Sequence, residues 1–156
     1  MANKKTQKCP YLSSYGGGYV RADQWVTERL CSTIAKKQSI ELPDKFWNLP
    51  KWCSLFRRQV QMASSLLVMY DAEAVYKSLK DKKLAKVRSF GAFSCSYFSK
   101  VLDEYQDTYE IEKQTEKQSE ELEIRSTNVI SERIAKDNKL SRLKNIDVET
   151  RPIQSG

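Results

Sequence analysis

From Val20 to Phe90 the chain runs without a single glycine, and no stretch of it shows a convincing strand-like alternation of apolar and polar residues. Glycine is the commonest local breaker of regular structure, so a long segment free of it suits helices joined by short polar turns. Three of the five glycines are instead crowded together at Gly16, Gly17 and Gly18, and the others are Gly91 and Gly156.

Apolar spacing then places the helices. Asp23 is an N-cap for a first helix to about Lys37, whose apolar face is Trp25 or Val26, Leu30, Cys31 and Ile34. Residues 39–50 read as a connector, in which Asp44 can cap a short turn carrying Phe46 and Trp47. Pro50 suits the first position of the next helix, where its missing N–H is not needed. That helix, about 51–70, puts Trp52, Leu55, Phe56, Met62, Ala63, Leu66, Leu67 and Tyr70 in one broad stripe. Asp71 caps a further helix from Ala72 to about Lys80, and Ser94 or Ser96 opens a long one. The expectation is an all-α protein, a compact bundle of four to five helices. Residues 1–18 form a flexible basic arm ending in a glycine hinge, 19–105 the helical core, and 106–156 a charged tail, helical or partly disordered.

Charge is segregated along this plan. The chain carries 27 Lys and Arg against 20 Asp and Glu, a net of +7. Residues 1–102 hold 18 basic and 7 acidic residues, net +11, whereas 103–156 hold 9 and 13, net −4. Surface potential follows local density within a Debye length of about 8 Å, so the basic body is what an acidic partner would meet. Its densest part is Lys77–Arg88, where Lys77, Lys80, Lys82, Lys83, Lys86 and Arg88 face one acid, Asp81. Leu79, Leu84 and Val87 give this strip an inner side. Arg57 and Arg58, on the polar side of the preceding long helix, are candidates to extend it. Such a strip releases condensed counterions from a phosphate backbone and so binds DNA or RNA without reading bases. A solvated, solubilising surface is the bland alternative.

Other chemistries are narrowed by what is missing. The chain has no histidine, which removes Ser-His-Asp and Cys-His nucleophiles and His-ligated metal sites. The body's acids are scattered and no Glu-x-Lys occurs, so metal-dependent nuclease chemistry has no cluster to work from. Cys9, Cys31, Cys53 and Cys95 contain no CxxC pair; they read as reduced thiols, with Cys31 and Cys53 as small core fillers. Tyr15-Gly-Gly-Gly-Tyr-Val lacks the lysine and preceding strand of a phosphate loop. The segment Arg88–Phe98 resembles the aromatic strand signature of RNA-recognition domains, but Ser89 replaces the first Gly and Ala92 stands where an aromatic belongs. The longest apolar run, Leu66–Tyr70, is far too short to cross a bilayer, and the basic start is not followed by a secretory apolar region.

The reading is therefore a non-enzymatic nucleic-acid-binding accessory protein without a cofactor, cytoplasmic or nucleoid- or nucleus-associated when bound to DNA. The rival is a structural subunit that docks into a larger protein complex through Trp47, Trp52, Phe90, Phe93 and the C-terminal tail. In that tail a heptad seam starts at Phe98, Val101 and Tyr105 and dies at Glu112, which argues against a long coiled coil. Glu112, Glu116 and Glu120 share one face at a destabilising like-charge spacing, so the tail is expected to fray. Ile130, Ile134, Leu140, Leu143 and Ile146 form a second, weak amphipathic piece suited to docking.

Overall fold

The computed structural model describes residues 3–149, and side chains as far as Arg142. It is all-α, with four helices and one pair of two-residue strands among the described residues. The strands β1 (Tyr11–Leu12) and β2 (Tyr19–Val20) pair antiparallel, Tyr11 opposite Val20 and Leu12 opposite Tyr19. The helices are α1 (Ala22–Lys37), α2 (Pro50–Leu66), α3 (Ala72–Ser78) and α4 (Ser96–Glu149). Short 3-10 turns at Phe46–Asn48, Lys82–Leu84 and Phe90–Ser94 fill the connections. The chain divides into two units, 1–110 and 111–156.

The core of the first unit is built where the apolar spacing puts it. Trp25, Val26, Leu30, Cys31, Ile34 and Ala35 of α1 meet Trp52, Phe56 and Ala63 of α2 and Val75 of α3. Val101 and Leu102 close it from the first turns of α4. Phe46, with no exposed surface, is the centre of an aromatic cluster: Tyr15, Trp47, Trp52 and Phe56 surround it with ring centroids 5.2–5.7 Å away. Four of these contacts or near-contacts are edge-to-face, the arrangement the ring quadrupole favours. Lys45, at φ 51°, turns the connector left-handed and delivers Phe46 inward.

Element ends differ from the sequence expectation in instructive ways. Helix α2 stops at Leu66 rather than near residue 70, leaving Val68 and Met69 exposed on a turn. Pro50 does occupy its first turn. Helix α1 begins one residue early, behind Arg21, and Asp23 pairs with Arg21 instead of capping. Asp71 precedes α3 but makes no side-chain cap; its carboxylate accepts from Gln106 Nε2 at 3.0 Å, tying α3 to α4.

The N-terminal arm needs the main correction. Residues 11–20 are a hairpin packed on α1, not a free arm with a hinge. Tyr11 stacks on Trp25 at 4.5 Å, and Ser13 is buried, donating its hydroxyl to Glu28 at 2.9 Å. Gly16 and Tyr15 N–H groups in turn donate to Ser13 Oγ, at 2.7 and 3.2 Å. The glycines serve this turn: Gly17 takes φ 66°, and a Cβ at Gly16 would lie 3.0 Å from Ser13 Oγ.

Glu28 itself is fully buried. Burial pushes its carboxyl above the usual range, against the hydrogen bonds from Ser13 and from the Ser14 N–H that favour the charged form.

Helix α4 continues to Glu149 instead of fraying after Glu112. No glycine or proline occurs between residues 92 and 151, and the good helix formers Glu, Gln, Lys, Leu and Arg supply 26 of those 60 residues. Lys113 and Lys117 offset the like-charged glutamates at helical spacing. All residues from Glu110 to Arg142 are exposed. Leu143 and Ile146 of the expected docking piece lie outside the residues whose side chains are described. No helix among the described residues is long and apolar enough to cross a membrane.

Candidate nucleic-acid interface

The strip Lys77–Arg88 is the end of α3 and the loop that follows it. Ser78, Leu79, Leu84 and Val87 are buried while Lys77, Lys80, Lys82, Lys83, Lys86 and Arg88 are all exposed. The apolar residues thus press one side inward and turn the cations outward.

Three anchors fix its backbone. Asp81 caps the 3-10 turn by accepting from the Lys83 N–H at 2.8 Å, and it accepts from the Tyr105 hydroxyl of α4 at 2.9 Å. The Lys83 N–H, followed by the Tyr105 hydroxyl, holds the Asp81 carboxyl below the usual carboxylate range. Lys37, at the end of α1, donates to the Ala85 carbonyl. At the far end buried Gln59 of α2 donates to Ser89 Oγ at 2.9 Å and accepts from the Phe90 N–H at 2.8 Å. The strip's one acid is therefore spent on structure.

The cations are not equivalent. Lys80 lies 4.1 Å from the centroid of the Tyr76 ring, whose phenol it pulls to lower pKa. Tyr76 belongs to a ladder in which Tyr11, Trp25, Arg29, Tyr76 and Lys80 follow one another. Arg29 is held there by ring faces, 5.4 Å from Trp25 and 5.3 Å from Tyr76; its buried Nε has no hydrogen-bond partner among the described residues. Lys77 sits 5.6 Å from the Tyr109 ring. Lys83 pairs at 3.6 Å with Glu104 of α4, which belongs to the net-acidic stretch 103–156. Among the described residues, Lys82, Lys86 and Arg88 have no ion-pair or ring partner.

Arg57 and Arg58 are exposed on α2, but Arg57 faces other neighbours than the strip. It lines a cleft of about 520 Å³ together with Arg21, Gln24, Trp47, Asn48 and Gln61, and no residue of 77–88 lines that cleft. Sequence reasoning missed Arg21 and Trp47 as neighbours of Arg57. Nothing in the sequence signals the cleft, because three separate segments supply it.

The aromatics fall differently from a docking surface. Trp52, Phe90 and Phe93 are buried at 4%, 3% and 7% exposure, and Trp47 is half-buried. Phe90 and Phe93 sit in a 3-10 turn, so the segment that resembles an RNA-binding strand is not a strand. Cys31 is buried, with its thiol pushed up to about 12 by desolvation, Cys53 and Cys9 are partly covered, and Cys95 is exposed. Among the described residues no three Cys, Asp or Glu side chains gather into a group that could hold a metal ion. No family model, curated protein or solved structure matches the chain.

Proposed function

We propose that the first unit binds nucleic acid through phosphate contacts from the outer side of Lys77–Arg88, as a non-catalytic accessory protein of a nucleoprotein assembly. The observation that carries this reading is the split of that segment. Its apolar residues and its acid are used internally, while six cations stand exposed on an anchored backbone. A fixed backbone loses little freedom on binding, and the lysine tips remain mobile enough to follow a phosphate chain. Lys82, Lys86 and Arg88, having no acid to release, are the strongest contributors. Lys83 contributes less, since it gives up Glu104 on binding. The burial of Trp52, Phe90 and Phe93 takes away the apolar patch that a docking role through those aromatics would need.

The test is a salt titration of binding to single- and double-stranded DNA and RNA. Replacing Lys80, Lys82, Lys83 and Lys86 with Ala should weaken binding to all of them and flatten the slope of log K against log salt by about 3. An unchanged slope overturns the assignment. Arg57→Ala reports on the cleft: a loss equal to that of the four lysines would move the interface there.

A further inference from the structure

Arg29 stands in the middle of α1, half-buried, and its side chain makes no hydrogen bond or ion pair among the described residues. Its Nε is the one buried side-chain nitrogen or oxygen among them that lacks a partner, and the two terminal nitrogens are not buried. Aromatic rings hold the guanidinium instead, with centroids 5.4 Å away at Trp25 and 5.3 Å away at Tyr76. A ring face attracts the positive charge but leaves the N–H donors in the guanidinium plane unfilled. A donor set left empty in an otherwise satisfied interior calls for an acceptor from outside.

Two contacts set this group beside the basic strip. Tyr76 also carries Lys80, 4.1 Å from its centroid, so the two cations stand at most about 9 Å apart on one phenol. Eight residues further along α1, Lys37 donates to the Ala85 carbonyl. Helix α1 therefore accompanies the strip from Tyr76 to Ala85, in the same direction. Residues 29–37 contain no acid, and Lys36 and Lys37 are exposed. Glu73 of α3 is near: burial and then the charge of Glu73 push the Tyr11 phenol up. Among the described residues, however, Glu73 pairs with neither Arg29 nor Lys80. Two like charges so close repel one another, and an anion between them turns that repulsion into two attractions.

We infer that Arg29 binds a phosphate group of the nucleic acid, so that the contact surface crosses the Tyr76 ring from Lys80 on to α1. This rests on the proposed role of Lys77–Arg88 and adds a contact of a different kind. The lysines are point charges on flexible stems, whereas Arg29 is a planar fork suited to two oxygens of one phosphate. The rings orient that fork before binding, so little freedom is lost when the phosphate arrives. The anion belongs to a chain rather than standing alone, because Lys80, Lys82 and Lys86 continue the row of cations.

Salt-titrated binding of duplex and single-stranded DNA to the full chain tests this, with Arg29→Gln, Arg29→Lys and the four-lysine variant side by side. Arg29→Gln should weaken binding about ten-fold. It should also flatten the slope of log K against log salt by about 0.9 on duplex and about 0.7 on single strands. Arg29→Lys should keep the slope, because the charge remains, and still lose affinity about three-fold, because the fork is gone. A purely structural Arg29 would lower the urea midpoint of Arg29→Gln while leaving affinity and slope as in the wild type; that result overturns the inference. If the four-lysine variant loses slope and Arg29→Gln does not, Arg29 alone falls; if Arg29→Gln loses it and the four-lysine variant does not, the strip falls. The wild type supplies a reading that needs no folded Arg29→Gln chain. Its Arg29 Nε–H signal in nitrogen–proton NMR, identified by its loss in Arg29→Lys, should shift on adding a DNA oligonucleotide. A signal unmoved at saturation also overturns the inference.

Discussion

Residues 22–35 and residues 111–142 are both helical, yet they are helical for different reasons. In the first stretch Trp25, Val26, Leu30, Cys31, Ile34 and Ala35 are buried, and the hairpin 11–20 covers part of the helix through Tyr11 and Ser13. In the second every side chain is exposed, so helicity there rests on residue preference and local side-chain pairs. The same apolar residue type should therefore have very different consequences in the two places.

The sharpest contrast comes from truncating one large apolar residue in the packed first unit and one in the exposed stretch. Phe46→Ala empties the centre of the aromatic cluster and should destabilise the first unit by about 3–5 kcal/mol in urea unfolding followed by tryptophan fluorescence. All three tryptophans lie in that unit, so the signal reports on it alone. A cost under 1 kcal/mol would mean the cluster is loosely packed.

Next in size is Glu28. Glu28→Ala should cost about 1–3 kcal/mol, because it strips the buried Ser13 hydroxyl of its acceptor. The carboxyl also carries a pH signature. Its pKa is raised in the folded protein, so its contribution is fully present below the unfolded value of about 4.3 and is lost as pH rises through the folded value. The stability of the wild type relative to Glu28→Gln should fall from pH 4 upward; a difference constant between pH 4 and 7 would contradict the burial of that group.

The smallest effect belongs to the tail. Ile124 is 61% exposed, so Ile124→Ala should change stability by less than about 0.5 kcal/mol. A larger loss would show that the tail is covered on that side.

Several features were legible in the residues alone because they depend on periodicity. Trp52, Phe56 and Ala63 stand at three-to-four spacing, and they are buried in α2. Leu79, Leu84 and Val87 mark the inner side of the basic strip, and all three are buried. The N-terminal segment was not legible. Its glycines are consistent with a hinge or a hairpin, and the choice depends on Trp25 and Glu28, which lie outside the segment. The neighbours of Lys83 and Arg57 were hidden for the same reason. Glu104 and Arg21 are remote in sequence and reach those cations only through packing.

The residues by themselves determined helix, the inward and outward sides of each helix, and the segregation of charge, since all three follow from spacing along one chain. The packed structure decided which cations keep an acid, where the N-terminal hairpin lies, and which aromatics are covered. Those outcomes turn on contacts between distant segments, where the energy of a buried hydrogen bond or ring contact exceeds any local preference.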